Sequence, residues 1–160
     1  MILGMSVSAF TILHVIISLI GIATGLYVMI GMAGGRKLPF WTAIFLLFTV
    51  ATSVTGFFFK STQIGPPHII GAISLVILAI ALYALYGARL KGSWRWIYVV
   101  TALIALFFNV FVGVIQAFQK LSFLQPLVPT QSEPPFLATQ IVVLIIFLIC
   151  GWLAVRRYPV

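Results

Sequence analysis

The chain contains no aspartate, and Glu133 is its single acidic residue. Hydrolysis by paired carboxylates, carboxylate-held calcium or magnesium, and proton relays through buried Asp or Glu all lack their residues. A Ser-His-Asp triad is excluded without Asp, and Glu133, which falls in a loop, is a poor substitute. Cysteine is almost as scarce. Cys150 stands alone, so no intramolecular disulfide and no CxxCH haem-attachment motif exist. A lone thiol in an apolar helix reads as a small hydrophobe. Gly31, Gly34 and Gly35 lack the lysine and hydroxyl arrangement of a phosphate cradle. No basic n-region precedes the first apolar run, which is long enough to span a bilayer by itself, so no cleavable signal peptide is expected.

Charge of either sign is rare: 6% of 160 residues are charged and 63% are hydrophobic. A water-facing shell needs far more polar groups than that, so the composition reads as a polytopic membrane protein of one domain. The net charge of +8 would suggest nucleic acid in a soluble protein. Here the cations sit in short connections, without the aromatic interleaving of a nucleic-acid surface, and membrane orientation explains them better.

A membrane-spanning helix needs about 20 apolar residues. Five runs qualify, at about residues 8–32, 40–59, 68–87, 96–118 and 136–155. The expected fold is therefore an all-α bundle of five transmembrane helices. Arg36, Lys37, Arg89, Lys91, Arg95, Arg156 and Arg157 fall on one side, against Lys60 and Lys120 on the other. By the positive-inside rule the N-terminus faces out and the C-terminus faces the cytoplasm. Trp41, Trp94, Trp96 and Trp152 lie near the inner ends, where amphipathic rings favour the headgroup layer.

Polar residues inside spans need partners away from water and are the best pointers to function. In the first run His14, Ser18, Gly21 and Gly25 follow in steps of four, three and four, and so share one helical face. Such a stripe on an otherwise apolar helix is turned toward its neighbours. Asn109, Gly113, Gln116 and Lys120 repeat that spacing in the fourth run. With Thr49, Thr52, Ser53, Thr55, His68, Gly71, Ser74, Thr139 and Gln140, nearly all of these polar residues fall in the outer half. The inner half reads as almost purely apolar, and the five helices are expected to converge on one outward-facing polar pocket.

His14 is expected about 9 Å deep, and His68, in the first turn of its helix, nearer the surface. One reading of the pocket is a b-type haem ligated by His14 and His68, with Lys60 or Lys120 near the propionates and Gly21, Gly25 and Gly71 forming a groove for the flat ring. A second is a quinone or other lipid-like ligand, its carbonyl bonded by His14, Asn109 and Gln116. A third has no ligand: the polar groups tie helices together, and the protein is a structural accessory subunit of a larger membrane complex. In the long connection before the fifth run, Pro134-Pro135 start the helix and Glu133 favours its positive end. Alternatively Thr130, Gln131 and Glu133 form a lid that touches a ligand or partner.

The loop Pro129-Thr130-Gln131-x-Glu133-Pro134-Pro135-Phe136, with Asn109-Val-Phe-Val and Gln116 before it, resembles a group of small, uncharacterised bacterial multi-pass membrane proteins. The resemblance spans most of the chain and implies a bacterial inner membrane, but no activity. The two-histidine pattern is also similar in outline to membrane b-type cytochromes, although it supplies ligands for one haem rather than two. The expectation is a non-catalytic membrane subunit or ligand-binding protein, with haem b or quinone in respiratory electron transfer as its ligand and other membrane subunits as partners. A small transporter is the alternative; the missing membrane carboxylates and the apolar inner half stand against it.

Overall fold

Ser6 opens α1 (Val7–Ala33) by accepting the Ala9 N–H at 3.1 Å, which satisfies one of the donors a helix start leaves unpaired. Gly34 and Gly35 close it, with Gly35 at φ 78°, a region glycine enters at little cost. The computed structural model describes residues 4–58, 66–120 and 134–158, with only the helical backbone of Pro66, Pro67 and residues 118–120. Pro39 starts α2 (Pro39–Gly56), where its missing N–H costs nothing. Then follow α3 (Pro66–Leu82), α4 (Trp94–Lys120) and α5 (Pro134–Arg157). Among the described residues, five helices are long and apolar enough to cross a membrane. The described fold is thus helical throughout its five long elements, in keeping with a membrane protein.

Two local features depart from the apolar runs. Helix α2 stops at Gly56 rather than near residue 59, because the Phe57 and Phe58 N–H groups fold back in tight turns onto the Val54 and Thr55 carbonyls. Helix α3 ends in a π-turn (Tyr83–Gly87), closed by the Ala88 N–H on the Tyr83 carbonyl at 2.7 Å. Hydropathy detects neither feature, since both are changes of hydrogen-bond step inside apolar sequence.

Helices α1 and α2 pack antiparallel along their whole length. At one end the Phe10 and Phe58 rings meet edge to face; at the other Tyr27 meets Trp41 in the same way. Between them, Gly21 lies against the backbone of Phe48 and Thr49, and a Cβ there would stand 3.5 Å from the Thr49 nitrogen. A Cβ on Gly25 would stand 2.5 Å from Leu106 Cδ1 and 2.8 Å from Phe45 Cδ1, so the missing side chain is what admits both neighbours.

The core gathers where α1, α2, α3 and α4 meet, around Met32, Phe45, Leu78, Tyr98 and Leu106. Helix α5 is the most exposed of the five and contributes Phe147 and Ala154. Its C-terminal end is pinned by charge. Arg95 donates to the Val155 and Tyr158 carbonyls at 2.6 and 3.0 Å, and Arg157 donates to the Ala33 carbonyl at 3.3 Å. The α1–α2 turn, the turn after the π-segment and the C-terminus therefore share one end of the bundle. It carries the seven cations from Arg36 to Arg157 and is called the cationic end below.

Candidate binding site

Both histidines meet the last turn of α2. His14 Nδ1 lies 2.7 Å from Thr55 Oγ1, and that hydroxyl gives its own proton to the Ala51 carbonyl at 2.7 Å. The imidazole and the hydroxyl thus share one bond between α1 and α2, whose donor follows the imidazole tautomer. The ring also packs on Gly56, with Cε1 3.7 Å from the position of a Cβ there. The His68 ring lies 6.0 Å from the Phe57 ring, tilted by 51°, and Gly71 faces the same phenyl group.

The glycines expected to leave a groove for a flat ring are already covered by neighbours. Leu106 and Phe45 occupy the space over Gly25, the α2 backbone lies on Gly21, and Phe57 covers Gly71. Close packing of small residues, rather than a slot, is what this stripe provides.

Helix α4 divides its expected polar face. Asn109 is half-buried, and its Nδ2 finds no hydrogen-bond partner among the described residues. Gly113 faces Ile22 of α1, whereas Gln116 is exposed. Gln140 of α5 donates through Nε2 to the Phe111 carbonyl at 3.3 Å, while its Oε1 has no partner among the described residues. Lys60, Thr130, Gln131 and Glu133 lie outside the described residues, as does the Lys120 side chain. The remaining membrane hydroxyls mostly turn back on their own helices: Thr24, Thr52, Thr101 and Thr139 each donate to the carbonyl four residues earlier.

The cationic half is less apolar than its hydropathy suggests. Thr42 and Tyr98 are buried there, and tyrosine counts as a hydrophobe in composition while carrying a hydroxyl. A cavity of about 250 Å³ opens at this end, lined by Lys37, Pro39, Thr42, Leu85, Tyr86, Leu90 and Tyr158. A shallower one of about 330 Å³ lies between Ala23, Thr24, Tyr27 and Trp41. Sequence reasoning passed over Thr42, Tyr98 and Tyr158. Their one available signal was a phenol or hydroxyl in apolar sequence beside the basic turns. Comparison with family models, with curated proteins and with solved structures finds no match for the chain.

The His14–Thr55 bond makes a measurable prediction. In a double-mutant cycle of His14→Leu and Thr55→Val, unfolding in detergent should reveal a favourable coupling of about 0.6 kcal/mol, the usual worth of an interhelical hydrogen bond in a membrane. Strictly additive costs would contradict the bond.

Proposed function

We propose that the chain is a non-catalytic subunit of a larger assembly in a bacterial inner membrane, with its N-terminus outside and its C-terminus in the cytoplasm. What supports this reading is how the membrane-embedded polar groups are spent. His14 is tied to Thr55, Gln140 to the Phe111 carbonyl, and the threonines to their own helices. Side chains engaged within the bundle, between helices at His14 and Gln140 and within one helix at the threonines, suit a protein that works by presenting a shape. The orientation rests on the segregation of cations to one end. A C-terminal alkaline phosphatase fusion is therefore expected to be inactive; an active fusion would reverse the threading.

A second reading, a protein that binds haem b or quinone, draws on two observations. The contact of His14 Nδ1 with the Thr55 hydroxyl is the kind of outer contact that orients a metal-binding imidazole. His14 Nε2 and His68 are the nitrogens that would hold the iron, which would supply one-electron chemistry when bound. The unpaired Asn109 Nδ2 is a buried donor suited to a quinone carbonyl. The covered glycines weigh against a flat ring at that stripe and leave the subunit reading in front.

An absorption spectrum of the full-length protein, purified in mild detergent and assayed for extracted quinone, separates the two. The subunit reading predicts no Soret band, no stoichiometric quinone, and migration on native gels as part of a larger complex. Reduced-minus-oxidised Soret and alpha bands that disappear in His14→Ala would overturn it in favour of haem.

A further inference from the structure

At the cationic end, arginines of one helix close the end of another. A helix leaves its last carbonyls without an internal partner. In α5 the Val155 carbonyl is one of these, and Arg95, from the first turn of α4, donates to it at 2.6 Å. The same guanidinium nitrogen donates to the Tyr158 carbonyl, just past the helix, at 3.0 Å. Arg157, the last residue of α5, donates in turn to the Ala33 carbonyl at the end of α1. Each cation also meets the negative pole of the helix it closes.

These bonds hold a segment that packing holds less firmly than the rest. Helix α5 is the most exposed of the five. From Gly151 onward its one buried helical side chain is Ala154, followed by Tyr158 beyond the helix, while Arg156 and Arg157 are exposed. Few buried apolar contacts and a handful of discrete hydrogen bonds mark a segment that opens before the bulk of a fold.

What the segment covers is well defined. The Tyr158 ring is buried 5.8 Å from the Tyr98 ring, with Lys37 Nζ 6.0 Å from its centroid. It forms one wall of the cavity of about 250 Å³. The other walls come from Lys37, Pro39 and Thr42 on one side and Leu85, Tyr86 and Leu90 on the other. Arg95 does not line the cavity; it places the Tyr158 wall through the backbone of the C-terminal turn.

We propose that residues 155–158 form a strap latched by Arg95. Releasing the latch lifts Tyr158 from Tyr98 and opens the cavity at the cationic end, while the rest of the bundle stays packed. Arg95 is thus a positioning residue that acts through the strap. The device is independent of the histidines and of the subunit reading.

The test is the rate at which a maleimide labels a cysteine in the full-length protein in detergent, in a Cys150→Ala background. Thr42→Cys reports on the cavity, since Thr42 is buried and lines it. Thr49→Cys, buried further along α2 and outside the lining, reports on the bundle as a whole. Arg95→Gln should raise the Thr42→Cys rate about tenfold, the worth of one hydrogen bond from a charged group. Tyr158→Ala, which removes the wall itself, should also raise it. Arg156→Gln removes an exposed cation that lies over Trp152 and takes no part in the latch, and should leave the rate unchanged. Thr49→Cys should stay protected in all three variants. A rate in Arg95→Gln no higher than in Arg156→Gln would overturn the latch. Labelling of Thr49→Cys in step with Thr42→Cys in the Arg95→Gln protein would overturn the strap, because the bundle would then be loosening as one unit.

Discussion

The bundle depends on how closely α1 lies against α2. At Gly25 that approach is set by an absent side chain, which makes room for Phe45 and Leu106, while Gly21 lies in ordinary contact with the α2 backbone. In lipid there is no hydrophobic gain from bringing two apolar helices together, so contact must come from packing density and a few hydrogen bonds. A stripe of small residues supplies the first, and His14 on Thr55 supplies the second at one end. Phe10 with Phe58 and Tyr27 with Trp41 fix the register on either side.

With α1 and α2 fixed, the two ends of the protein become different environments. At the histidine end, His14 and Gln140 bond within the bundle, while Asn109 Nδ2 has no partner among the described residues. His14 is held by α2, and His68 stands against the Phe57 ring that follows it. At the cationic end, charge accumulates without acidic side chains to offset it, and the C-terminus is drawn over the turns by Arg95 and Arg157. Burial raises the Tyr158 phenol above its ordinary pKa, which keeps this covering group neutral beside the cations.

The fold was legible because membrane helices are written in run length. Five apolar stretches and the cations between them were sufficient to find five helices, and the Pro134-Pro135 pair marked one of the starts. The His14 to Gly25 stripe was legible as an interface by its spacing. What it faces was not, because spacing gives a helix face and not its partner. The stripe reads equally well as a cofactor groove or a contact until Phe45 and Leu106 are seen in the gap. Gln116 misled for a similar reason: it shares a helical face with Asn109 in projection, yet the neighbouring helices cover one and leave the other exposed. The cavity at the cationic end was hidden because tyrosine and threonine help line it, residues whose hydroxyls are silent in hydropathy.

The account stands on the register of α1 against α2, and cross-linking of paired cysteines measures it most directly. In a Cys150→Ala background, the pairs Phe10→Cys with Phe58→Cys, His14→Cys with Thr55→Cys, and Tyr27→Cys with Trp41→Cys should each link efficiently with a short bifunctional reagent in native membranes. The mismatched pair Phe10→Cys with Trp41→Cys should not. Efficient linking of the mismatched pair, with weak linking of the matched ones, would contradict the close antiparallel packing from which the rest of the structure follows.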